Sequence, residues 1–209
     1  AWCVEKEILA NVAKVQDLLA HSEAADQPAT VRIFRNINAV LNSIDHLEVR
    51  GRDSAGISLL FLLEEPAFQD FTARLGREES DNLLERVRER SQHSVLGNRG
   101  ISIHTRTDAD GRRLVAVSIA YKVAAEIGRL GDNIRFLRQE IREDRVLQLL
   151  AARPHRFHTV SSHTRWASVG AINEANCHPL DSRTADAVIE KRGAIHVCLN
   201  GDIDNFQQL

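Results

Sequence analysis

The sequence has no methionine at all. Among its 209 residues it has one tyrosine, two tryptophans, four prolines and three cysteines. Cys3, Cys177 and Cys198 form no C-x-x-C pair. This excludes a disulfide framework and a cysteine-rich zinc site, and fits a reducing, cytoplasmic setting. No apolar run approaches the ~20 residues a membrane helix needs; the longest, Ile57 to Leu63, is interrupted by Ser58. A membrane partner is therefore not expected. The opening residues carry Glu5, Lys6 and Glu7 where a secretory signal would be apolar. Neither sign of charge dominates, the net being −2, and no basic, aromatic-bearing face points to nucleic acid. The nine histidines are scattered without metal-ligand spacing, and no glycine-rich phosphate loop occurs. Neither a metal nor a nucleotide cofactor is expected. Lysine is scarce, four of the 27 basic residues. Arginine suits planar recognition of carboxylates, but a compositional bias would look the same. A chain without methionine, ending at Leu209 soon after its most informative motif, is expected to be part of a longer protein.

What is present is an ordinary globular composition, 43% hydrophobic and 27% charged, which excludes disorder. Apolar spacing predicts helices over 5–21 (Ile8, Leu9, Val12, Val15, Leu18, Leu19) and 29–46 (Val31, Phe34, Ile37, Val40, Leu41, Ile44). A polar, glycine-bearing turn from Arg50 to Gly56 leads into a buried strand, Ile57 to Leu63. Residues 64–100 are highly charged and helical, with Leu83, Leu84 and Val87 as a stripe. Gly100–Arg106 and Arg112–Tyr121 read as strands joined by the hairpin signal Asp108-Ala109-Asp110-Gly111. A long helical stretch over 122–151, broken near Gly128 or Gly131, carries Ile134, Leu137, Ile141, Val146 and Leu150. Val160–Ala167 is strand into loop, and Ala194–Leu199 a short buried strand. Strands and helices come in blocks, which favours a layered α+β fold with mostly antiparallel strands.

Four segments carry polar residues in arrangements that invite chemistry. They are Arg50-Gly51-Arg52-Asp53-Ser54-Ala55-Gly56, His163-Thr164-Arg165-Trp166-Ala167-Ser168-Val169-Gly170, Asn176-Cys177-His178-Pro179 and Asn200-Gly201-Asp202-Ile203-Asp204-Asn205. Each alone has a local explanation: a helix-to-strand turn, an arginine stacked on an aromatic, a packed histidine, a hairpin turn. In this order the set resembles the glutaminase domain of class II glutamine amidotransferases. It is most similar to the glutamine–fructose-6-phosphate aminotransferase branch, whose pattern is R-G-x-D-S-A-G, H-T-R-W-A-T-H-G, N-x-H-P and H-N-G-x-x-x-N. The resemblance covers residues 29–63 and 112–209, and leaves 64–100 as a charged helical insertion.

The resemblance implies a four-layer αββα sandwich of the Ntn-hydrolase kind, present here as one partial domain over 1–209. It implies that L-glutamine is hydrolysed and its ammonia passed to an acceptor. That acceptor would be fructose 6-phosphate, on a sugar-phosphate domain of the same longer chain outside these residues, giving glucosamine 6-phosphate in a homo-oligomer. Arg165 would hold the glutamine α-carboxylate. Trp166 and Ser168 would lie on the loop that closes over the amino acid, Arg50 would shape the floor near the nucleophile, and Asn200 and Gly201 would form the oxyanion hole. No cofactor is implied. The family's nucleophile is an N-terminal cysteine whose α-amine acts as base. Cys3 is followed by a helical pattern and lies too far from Arg50, and Cys177 and Cys198 read as packing residues, so that cysteine is expected upstream of Ala1 or not at all. Val169 and Leu199 replace histidines of the pattern. A catalytically silent binding or regulatory module, or an amidotransferase with another acceptor, are the alternatives.

Overall fold

A near-continuous apolar run builds the centre of the molecule. In the computed structural model, which describes residues 1–77, 82–92, 97–124, 129–167, 170–182, 195–201 and 205, β1 runs from Ser54 to Glu64. It places Ala55, Ile57, Leu59, Phe61 and Leu63 on one face, all buried. It pairs antiparallel with β3 (Arg113–Ala124), Leu59 opposite Ile119. On its other side it pairs with β4 (Phe157–Arg165), Leu59 opposite Val160. β2 (Gly100–Thr107) completes the sheet beside β3, giving the order β2-β3-β1-β4. The β2–β3 hairpin closes where the sequence predicts, with Asp108 N–H donating to the Arg112 carbonyl and Gly111 at φ +78°.

Helices cover the apolar face. α2 (Pro28–Leu47), started by a proline in its first turn, buries Ile33, Phe34, Ile37 and Leu41. α5 (Asp132–Glu143) buries Ile134, Leu137 and Ile141. Gly131, in the left-handed conformation at φ +88°, marks the expected break before α5. Asp144 separates α5 from α6 (Arg145–Ala151) and caps α6 by accepting from Val146 N–H. Of the described residues in the charged 64–100 segment, Glu65–Arg77 and Leu83–Gln92 are helical as expected. Its helices α3 (Glu65–Arg77) and α4 (Leu83–Gln92) are built into the core through Phe71, Leu75, Leu83 and Val87. Arg90 of α4 forms a two-pronged ion pair with Asp144 (3.0 and 2.6 Å), whose carboxylate also accepts from the buried Tyr121 hydroxyl at 2.7 Å.

The opposite face of the sheet carries small and polar residues, among them Gly56, Ser58, Ser118, Ala120 and Lys122. A two-stranded ribbon, β5 (Leu180–Asp181) with β6 (His196–Val197), lies against it. His196 Nδ1 and Ser58 Oγ, 2.5 Å apart, tie the two. The described residues thus form an α+β architecture: helices, a four-stranded antiparallel sheet, and a small second sheet.

Three expectations are corrected. The first helix is a π-helical turn, Cys3–Leu9, continuing into α1 (Ala10–Leu18). Of its predicted face only Leu18 and Leu19 are buried; Ile8, Leu9 and Val12 are exposed, and the first turn of α1 meets α2 through polar contacts, Asn11 accepting from Asn38 and Asn42. Residues 122–124 are strand, not helix: the sheet extends, and Val123 continues the inward alternation from Tyr121. Among the described residues of the 194–199 segment, 195–199, only His196–Val197 is strand, with Ile195, Val197 and Leu199 exposed.

Candidate functional site

The site is assembled where β1 begins and β4 ends. A 3-10 turn, Glu48–Arg50, leads from α2 to the sheet. Gly51 then packs directly on β4: a Cβ there would lie 2.8 Å from both the carbonyl carbon and Oγ1 of Thr164, so only glycine lets the chain pass. Asp53 binds the end of β4 twice. Its N–H donates to the Arg165 carbonyl at 3.1 Å, and its carboxylate accepts from Ala167 N–H at 2.6 Å. Arg50, exposed at the end of the 3-10 turn, precedes this clamp. The Arg165 side chain donates to the Ala171 carbonyl at 3.3 Å, which also accepts from the Asn176 side chain at 2.9 Å. This sets a planar, five-donor guanidinium at the base of the loop after β4. Trp166 projects from that loop, 70% exposed.

One row across the sheet organises the rest. Lys122 on β3, Gly56 on β1 and His163 on β4 are direct cross-strand neighbours. Gly56 has no side chain, and the Cys177–His178 backbone fills the space: a Cβ at Gly56 would stand 2.2 Å from the His178 carbonyl oxygen. Beneath it, the buried Cys177 thiol donates to the Ala55 carbonyl at 3.1 Å. The His178 ring rests on His163, centroids 4.7 Å apart, and its Nδ1 accepts the Leu199 N–H at 3.2 Å. That bond seats Asn200 and Gly201, both exposed, at the same end of the sheet as Arg165. The structure therefore sets Arg50, Arg165 and Trp166 around the shared end of β1 and β4, and ties Leu199, which leads into Asn200 and Gly201, to His178 on the neighbouring His163. Ser168 lies outside the described residues.

Burial sets the electrostatics. It lowers the affinity of His163 and His178 for a proton, and the nearby Arg165 cation adds to the effect in both. Burial also holds Lys122 below the usual ammonium range, against the opposing pull of Cys177, Asp181 and Glu174. Among the described residues the fully buried Lys122 Nζ has no hydrogen-bond partner. The Cys177 thiol is pushed up by the same burial, which makes it a packing group and not a nucleophile. Cys198, expected as packing, is exposed.

Sequence reasoning overlooked the His163–His178 contact and Lys122. Their meeting depends on strand register and on Gly56, and no local pattern encodes it. A stability consequence follows from the histidines. Unfolded imidazoles protonate near pH 6.5, and these folded ones only at lower pH. The unfolded chain thus takes up protons first, and stability falls as pH drops below about 6.5. His158, also depressed by burial, acts in the same direction. The drop in melting temperature between pH 7.5 and 5.5 is expected to shrink in a His163→Gln variant; an unchanged drop would show that this pair does not set it.

No family model, curated protein or solved structure matches the chain.

Proposed function

We propose that this chain belongs to a glutamine-hydrolysing domain of the class II amidotransferase type, and that its layers are part of an Ntn-hydrolase-like four-layer αββα sandwich. Within that class, the run His163-Thr164-Arg165-Trp166 favours glutamine–fructose-6-phosphate aminotransferase. Ammonia released from L-glutamine would pass to fructose 6-phosphate on a further domain, within a homo-oligomer. The observation that carries this reading is the convergence of the four motif segments at one end of the sheet. Asp53 clamps the second segment, Gly56 admits the third, and His178 of the third holds Leu199 at the start of the fourth.

In this reading the Arg165 guanidinium takes the α-carboxylate of glutamine in a charge-assisted, planar contact. The Asn200 side chain and the Gly201 N–H face the oxyanion formed when a thiolate attacks the side-chain amide. Trp166 and Ser168 belong to the loop that excludes water from the thioester. Arg50 lies at the floor. This reading requires a cysteine nucleophile upstream of Ala1, because Cys3 heads a helix and Cys177 is sealed in the core; without one the domain is silent.

Glutamate release from L-glutamine by the full-length protein tests the proposal. Hydrolysis is expected, and is expected to vanish when an encoded N-terminal cysteine is changed to alanine. Arg165→Ala should raise KM for glutamine by about 100-fold, the loss of a contact of roughly 2–3 kcal/mol, and change kcat much less. No hydrolysis, with or without fructose 6-phosphate, would refute the reading. A specific observation favours a second one, a silent glutamine-binding module: Cys3 heads a helix and Cys177 is sealed in the core, so neither is placed to act as the nucleophile. Glutamine binding by calorimetry without turnover would select it.

A further inference from the structure

We infer that His178 is a positioning residue: its neutral imidazole, seated on His163 and carried by a backbone that lies over Gly56, holds the Leu199 N–H and thereby fixes the direction in which the Asn200–Gly201 turn presents its donors. The catalytic consequence rests on the glutamine-hydrolysing reading; the structural one rests on the hydrogen bond alone.

The argument begins with how firmly His178 is held. Its carbonyl lies over Gly56, where no side chain fits. The preceding residue is pinned by its thiol to the Ala55 carbonyl, and the following Pro179 is buried. The ring is backed by His163. Leu199, by contrast, follows an exposed ribbon. Its N–H bond to Nδ1 ties the residue just ahead of Asn200 directly to this rigid platform; the earlier ties of the segment, His196 to Ser58 and the Cys198 thiol to the Ser162 carbonyl at 3.9 Å, lie upstream of it.

Accepting from an N–H requires a lone pair on Nδ1, so the ring must be neutral with its proton on Nε2. Protonation would place a second N–H against that of Leu199 and break the tie. The surroundings resist this. His178 is faced by His163 and Arg165 from β4 and by Lys122 from β3, while β1 offers only Gly56. Burial and these three side chains, each cationic or cationic on protonation, outweigh the Leu199 backbone, which favours the proton, so the bond is kept at neutral pH and released in acid.

Two substitutions separate this role from mere packing. His178→Asn puts an amide oxygen where Nδ1 stands and cannot titrate in this range; His178→Leu fills similar space without an acceptor. Hydrogen exchange of the 195–201 peptide, read by mass spectrometry on the full-length protein, should be about tenfold faster in His178→Leu, as expected for one lost hydrogen bond. It should stay near wild type in His178→Asn. Wild-type exchange, corrected for its intrinsic pH dependence, should quicken below pH 6.5, and His178→Asn should not follow it. Glutamine hydrolysis should show the same order: kcat lowered about tenfold or more in His178→Leu with KM changed less, and in His178→Asn near-wild-type kcat with a weakened acid limb. Equal behaviour of the two variants in exchange would overturn the inference, whether both match wild type or both loosen. If the wild-type protein hydrolyses no glutamine, the exchange measurements still decide the positioning role, and only the glutaminase reading falls.

Discussion

Asp144→Ala is expected to lower stability by about 3–5 kcal/mol, the range for stripping one partner from a buried ion pair. The carboxylate is 2% exposed and serves four donors: both Arg90 prongs, the Tyr121 hydroxyl and the Val146 N–H. Removing it strands a guanidinium whose side chain is only 15% exposed. It also orphans a fully buried phenol and uncaps α6. Urea denaturation at constant m-value measures the change. Asp144→Asn keeps the hydrogen-bonding shape but not the charge, and should lose less than the alanine variant. A loss below 1 kcal/mol in Asp144→Ala would show that α4 is not joined to the core in this way.

Gly56→Ala is expected to do most damage to function. The new Cβ would stand 2.2 Å from the His178 oxygen, 3.1 Å from its carbonyl carbon and 3.3 Å from the Cys177 sulfur. Backbone, not a flexible side-chain end, has to yield. Overpacking of this kind costs about 1–3 kcal/mol. The larger effect is positional: the Cys177–His178 segment lifts from the sheet, Leu199 moves with it, and, in the proposed glutaminase, Asn200 would no longer face the substrate held by Arg165. A displacement of about 1 Å costs roughly 100-fold in rate, so kcat/KM for glutamine hydrolysis should fall at least that far. Gly76→Ala is the matched control. Its Cβ meets nothing within 4 Å and it lies in α3, so it should raise stability by about 0.5–1 kcal/mol. Gly56→Ala with wild-type turnover would overturn the role given to this close approach.

Much of the frame was legible in the sequence, where one physical rule acted alone. The Ile57–Leu63 run, the Asp108–Gly111 hairpin and the stripe of Ile134, Leu137 and Ile141 each had a single reading. Legibility failed where tertiary context chose between readings. Lys122, Val123 and Ala124 form helix as readily as strand, and only pairing with Gly56, Ala55 and Ser54 decides for the sheet. Ile8, Leu9 and Val12 have helical spacing, yet no described element covers them. Of the site, Arg50, Arg165, Trp166, Asn200 and Gly201 were reached through the resemblance. The spacing of His163 and His178 says nothing of their contact, which arises from a β4 register and a glycine 107 and 122 positions upstream respectively, 163 − 56 and 178 − 56.

The placement of β1 between β3 and β4 has a cost during synthesis. Leu59 waits 119 − 59 = 60 residues for Ile119 and 160 − 59 = 101 residues for Val160. At about 5–20 residues per second, the last partner leaves the ribosome some 5–20 s after the strand itself. Through that interval Ile57–Leu63, rich in leucine and free of charge and proline, offers an open hydrogen-bonding edge to any neighbouring nascent chain. The strand that anchors the glycine of the candidate site is also the segment most in need of a chaperone before β4 arrives.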